Sequence, residues 1–83
     1  MFLLTEEKHL INMQRVSAIV LKECGAKFTV TAIFDDPRIK MDLIPPLHEC
    51  EARAAVEEIA EAYANGSDRT VIDLAVIHQN VTA

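Results

Sequence analysis

From Phe28 to Ala32 and from Ile39 to Leu43 apolar and polar residues alternate with a period of two, the pattern of half-buried β-strands. Cys24-Gly25, ahead of the first run, reads as a two-residue turn, glycine supplying the positive φ that such turns need. Glu23 then faces Ala26, Leu21 faces Phe28, Ile19 faces Val30 and Ser17 faces Ala32, and opposed residues share one side of a sheet. Asp35-Asp36-Pro37-Arg38 forms the next turn, with proline where a type I turn favours it. It pairs Phe34 with Ile39, Ala32 with Met41 and Val30 with Leu43. The two registers agree: one face collects Ile19, Leu21, Phe28, Val30, Ala32, Phe34, Ile39, Met41 and Leu43, while Lys40 and Asp42 turn outward.

From His48 to Ala64 the period lengthens to that of a helix. Ala52, Val56, Ile59, Ala60 and Tyr63 share one stripe about 100° wide. Pro45 and Pro46 are expected to end the preceding strand, and Asn65-Gly66 to supply a left-handed stop. Val71 to Ile77, rich in β-branched residues, reads as a last strand with Ile72, Leu74 and Val76 on one face. Phe2 to Thr5 and His9 to Asn12 read as a small hairpin turned by Glu6-Glu7-Lys8, or as an edge strand and a bend. The expected fold class is α+β: an antiparallel β-meander of about 4–6 strands, one α-helix packed on one face, and a final strand after the helix.

Length and composition set bounds on this picture. The 83 residues support one α+β domain, residues 1–83, with a modest core. At this size a domain buries about 60% of its unfolded surface. An apolar content of 51% excludes a disordered acidic tail. Thirteen acidic against eight basic residues, a net charge of −5, argue against phosphate-backbone binding, so no direct nucleic-acid partner is expected. No apolar run exceeds four residues, and no membrane segment is expected. Met1 to Glu7 lack the basic region and long apolar stretch of a secretory signal, which favours a cytoplasmic setting. Cys24 and Cys50 form no CxxC pair; two free thiols are expected there, with a disulfide between them as the alternative.

Two surface features stand out. Val16, Ala18, Val20, Thr29, Thr31 and Ile33 fall on the sheet face away from the helix, which is too apolar for a solvated face. A returning N-terminal arm, plain strand propensity or a subunit interface would each account for it. A homodimer is preferred, because one helix cannot cover both faces. The second feature is charge. Residues 45–64 hold five acidic residues and one basic residue, Arg53, so most of the net charge sits on one helix. Glu51, Glu58 and Glu61 are expected to project outward, with Glu57 at the flank. They form either an ordinary solvated face, aided by the Glu49–Arg53 and Arg53–Glu57 spacings, or a docking face for a basic protein partner.

Catalytic chemistry is not expected. His9, His48 and His78 each fall in a separate element, and His48-Glu49-Cys50 has metal-ligand residue types without a second pair elsewhere. Two glycines 41 residues apart build no phosphate loop. No catalytic, cofactor-binding or metal-binding residues are assigned, and no cofactor is implied. The alternative is a small-ligand-binding protein or enzyme with a pocket near His48 and Cys50 or at a subunit interface.

Met1-Phe2-Leu3-Leu4-Thr5, then Leu10-Ile11-Asn12 followed by Val16 and Ile19, resembles the start of small uncharacterised α+β proteins of Firmicutes bacteria and their prophages. Ala64-Asn65-Gly66 and Val71-Ile72-Asp73-Leu74 fit the same likeness, while Pro45-Pro46-Leu47-His48 departs from it. Those proteins have no assigned activity, so no functional residue carries over. The resemblance implies a mobile-element setting. Small acidic phage proteins that block host defence complexes, anti-CRISPR proteins among them, are similar in size and charge. The reading as a whole is a non-enzymatic, self-associating interaction module with an acidic helix that docks on a larger protein.

Overall fold

In the computed structural model, which describes all 83 residues, the chain runs through β1 (Phe2–Leu4), β2 (Leu10–Asn12), β3 (Val16–Cys24), β4 (Lys27–Phe34), β5 (Lys40–Leu47), α1 (Glu49–Asn65), β6 (Val71–Asp73) and α2 (Leu74–Thr82). The fold is α+β, with the strands divided between two three-stranded sheets, β2-β1-β6 and β3-β4-β5.

The N-terminal hairpin forms as the sequence indicates, but it belongs to the smaller sheet. Leu3 faces Ile11 across an antiparallel ladder and Ile72 across a parallel one, and all three are buried. Each such aliphatic side chain withdrawn from water contributes about 1.5–3 kcal/mol. The turn back to β2 needs one residue in the left-handed region, and Lys8 takes it with φ 69°.

In the larger sheet the β3–β4 loop is Gly25-Ala26, one residue later than the sequence suggests. Gly25 alone carries positive φ (64°), the pattern of a type II′ turn with glycine first. Every partner moves by two, so Leu21 meets Val30 and Ile19 meets Ala32. A two-residue shift leaves each side chain on its expected face, and the sorting survives. Ala32 pairs with Met41 as expected, but bulges then set Val30 against Ile44 and Phe28 against Leu47. Leu43 and Ile44, consecutive in sequence, are both buried as a result. Pro45 and Pro46 do not end this strand; they lie inside β5, exposed on a bulged edge strand that has no outer ladder to supply with N–H groups.

Helix α1 covers one face of the larger sheet. His48 precedes it in an extended conformation, and its N–H donates to the Glu51 carboxylate at 3.1 Å. Ala52, Ala55 and Ile59 are buried, with Val56 and Ala62 packed beside them, whereas Ala60 is exposed and Tyr63 is 58% exposed. The apolar stripe is thus turned by roughly 50° from the one the sequence suggests, at about 100° per residue. The cause is α2, which the sequence reads as strand. Asp73 caps it, its carboxylate accepting the Ala75 N–H at 3.0 Å, and Leu74, Ile77 and Val81 recur at helical spacing. Helix α2 lies against α1 and pulls Ala55 and Ala62 inward. Val76, expected on one face with Ile72 and Leu74, is 49% exposed while those two are buried. Gly66, expected in the left-handed region, is extended (φ −89°). Glycine is needed there for space, since a Cβ would meet Met1 Cε at 2.5 Å and the Ala62 carbonyl at 2.8 Å.

Candidate interaction surface

The order β3-β4-β5 makes β3 an edge strand, and its nine residues pair on one side only. Its free backbone groups follow from the ladder. Asp35 N–H reaches the Arg15 carbonyl while Phe34 N–H reaches the Ile39 carbonyl, so odd positions of β4 bond toward β3 and even positions toward β5. Ala18, Val20, Lys22 and Cys24 therefore bond to β4. The N–H and C=O groups of Ile19, Leu21 and Glu23 point outward with no strand to meet them.

Beside this edge runs an apolar groove between β3 and α1. One stretch, about 400 Å³, is lined by Met13, Val16, Ser17, Ala18, Ile19, Val56, Ala60 and Tyr63. It continues as a cleft of about 290 Å³ lined by Ile19, Leu21, Arg53, Val56 and Glu57. Val16 reaches the groove because of a β-bulge between Val16 and Ala18, which pairs Val16 with Phe34 and sets it against the core.

Of the other residues expected on the opposite sheet face, Ala18, Val20 and Ile33 lie outside the core cluster, Val20 being 37% exposed. Thr29 and Thr31 are buried at 3% and 1%. A polar arch accounts for that burial. Lys22 Nζ reaches Asp42 Oδ1 at 3.5 Å across β4, and beneath it the Thr31 hydroxyl donates to the same Asp42 oxygen at 2.9 Å. The single hydroxyl hydrogen of Thr29 is shared between Thr31 Oγ1 at 3.3 Å and the Lys22 carbonyl at 3.4 Å, so each hydroxyl has an acceptor.

Beyond Glu49, the four acidic residues of α1 separate into two pairs. Glu57 and Glu61 are exposed, with Glu57 at the groove. Glu51 and Glu58 are half-buried; Glu51 is engaged at the helix start and Glu58 accepts from Asn80 of α2 at 3.5 Å. Arg53 bridges Glu49 at 3.5 Å, and no basic side chain bridges Glu57, Glu58 or Glu61.

Neither His48 nor Cys50 lines the principal clefts, and both cysteines are exposed free thiols. A cleft of about 390 Å³ between the Thr5–His9 turn and β5 brings Glu6, Glu7, His9, Cys24 and Asp42 together, a grouping not evident in the sequence. No hydrogen bond joins His9 to Cys24, and Glu6 is engaged by His78 Nδ1 at 2.5 Å. No group of three or more His, Cys, Asp or Glu side chains is arranged to hold a metal ion. In the β4–β5 loop, the Arg38 side chain and backbone N–H hold the Asp36 carboxyl below the usual carboxylate range.

Sequence reasoning missed the outward backbone of Ile19, Leu21 and Glu23, and assigned Ala60 and Tyr63 to the core. The available signal was Pro45-Pro46, which marks β5 as one edge of a three-strand meander and leaves β3 as the other. No protein-family model matches the chain, and neither does any curated protein or solved structure.

Proposed function

We propose that this chain is a non-enzymatic, self-associating protein-interaction module, with the exposed acids of α1 docking on a basic protein partner. The observation that carries the reading is the open edge of β3 beside an apolar groove. Unpaired strand backbone next to apolar side chains is the surface that proteins either protect or use for association. Self-association also enlarges the core of a chain that by itself buries 16 of its 83 residues. Sedimentation across a micromolar concentration series tests it: a species of twice 9.2 kDa is expected, and a concentration-independent monomer rejects the reading.

Glu57 and Glu61 support the second part, because they lie four residues apart with no basic side chain bridging them. A phage or mobile-element inhibitor of a basic, nucleic-acid-binding complex, anti-CRISPR proteins being one such kind, is a setting that suits this charge. Binding to a lysine-rich peptide is expected to weaken with salt and with Glu61→Lys, which lies one turn beyond the Arg53–Glu57 level of the helix, and unchanged binding rejects the acidic docking face.

A further inference from the structure

We infer that the β3 edge takes a second copy of this chain, paired antiparallel across a two-fold axis that passes through Val20. The inference rests on the self-association proposed above and specifies its geometry. An axis perpendicular to the sheet keeps both copies of α1 on one side, so each β3 residue must oppose one of the same parity. With the axis at Val20, Ile19 opposes Leu21 of the second copy. Both residues point their N–H and C=O groups outward, so they form a hydrogen-bonded pair on each side of the axis.

Neighbouring registers fail on side-chain grounds. Centring on Leu21 sets Ile19 against Glu23, and centring on Lys22 sets Lys22 against itself. Centring on Ile19 sets the apolar Leu21 against Ser17 and runs Glu23 and Cys24 past the start of the second copy's β3. Only the Val20 register places Lys22 opposite Ala18 and Glu23 opposite Ser17, with Val20 against itself at the centre.

The helix layer agrees with the strand layer. Arg53, Val56 and Glu57 share a cleft with Ile19 and Leu21, so this turn of α1 stands level with Val20. The same two-fold lays that turn beside its own copy in antiparallel sense. Arg53 then approaches Glu57 of the second copy, and Glu57 approaches Arg53, a self-complementary pair of opposite charges. Nine strand residues extend about 30 Å, and strand plus helix are about 20 Å deep, so the contact buries roughly 1,200 Å² in total, where specific interfaces begin.

The test is cross-linking by register. In a Cys24→Ser/Cys50→Ser background, Val20→Cys places two thiols at a non-hydrogen-bonded pair with Cα atoms about 4.5 Å apart, within disulfide range. Mild oxidation is expected to convert most of the chain to a covalent dimer, while Ile33→Cys in the same background stays uncross-linked. Val20→Lys is expected to weaken self-association by at least about tenfold, with the circular dichroism spectrum of the folded chain retained. A dimer that cross-links through Ile33 and not Val20 overturns this pairing and moves the interface to the sheet face, leaving self-association intact. An undiminished Val20→Lys dimer also overturns it. A strict monomer overturns both this inference and the reading beneath it.

Discussion

The larger sheet has two edges, and they are finished in opposite ways. β5 carries two bulges and two consecutive prolines, and it faces the N-terminal turn across a cleft. β3 has one bulge, near its start, and then runs regularly from Ala18 to Cys24. The first edge cannot accept another strand without losing hydrogen bonds; the second offers an uninterrupted set. A sheet capped on one side only can grow by one step and then stop, provided that the added strand is its own copy about a two-fold axis. Heterologous addition, in contrast, would leave a fresh edge each time.

The largest expected effect comes from proline placed by parity along β3. Val20→Pro removes an N–H that bonds to β4 and is expected to cost at least about 3 kcal/mol, seen as loss of cooperative urea unfolding. That is a large share of the roughly 4–12 kcal/mol expected for a domain of this size. Glu23→Pro removes an outward N–H instead and is expected to leave the monomer folded, within about 1 kcal/mol. The second effect comes from opening the finished edge. Pro45→Thr with Pro46→Thr restores donors on β5, and light scattering is expected to show assemblies larger than a dimer.

A smaller effect concerns the arch between the two edges. Asp42→Ala takes the acceptor from the buried Thr31 hydroxyl and is expected to cost about 1 kcal/mol by chemical denaturation. Lys22→Ala removes only the ion pair, whose side chains are more than half exposed, and is expected to cost less than about 0.5 kcal/mol. The smallest effect lies in the loop that leads into β5. Because Arg38 holds the Asp36 carboxyl low, the pair's contribution is present at neutral pH and lost as acid protonates Asp36 below the ordinary carboxylate range. Arg38→Ala is expected to return the Asp36 titration upward toward that range, measured by NMR, with no change in the β4–β5 pairing.

Much of this contrast was legible in the residues. The period of two along β3 and β4 sorts side chains correctly from Ala18 onward even though the turn sits one residue later, since a slip of two conserves the faces. Alanine-rich periodicity gave α1 with boundaries close to those observed. The expected last strand forms over Val71–Asp73, but its continuation from Leu74 to Ile77 is helix, although Val76 and Ile77 favour strands locally. The Asp73 cap and the Leu74–Ile77–Val81 spacing determine the outcome instead. From that one error others followed. A strand at 71–77 would have shared the larger sheet, whereas α2 rotates α1, exposes Tyr63 and half-buries Glu51 and Glu58. The groove was invisible for the same reason: it depends on which side of α1 its neighbours occupy. The bulge at Ser17, which turns Val16 toward that groove, has no glycine or proline to announce it.

The small sheet carries a different consequence, one of timing. Leu3 rests between Ile11, eight residues away, and Ile72, which is nearly the whole chain away. The β3–β4–β5 meander closes through short turns, but the β1–β6 ladder must gather its ends across a long loop. Contacts of that separation form late, because chain entropy is lost before they reward it. The meander is therefore organised, with its β3 edge already bare, while Leu3 and Ile11 still await their third partner. Edge pairing between copies can precede closure of the small sheet, so each chain would have an associating surface before its own fold is complete.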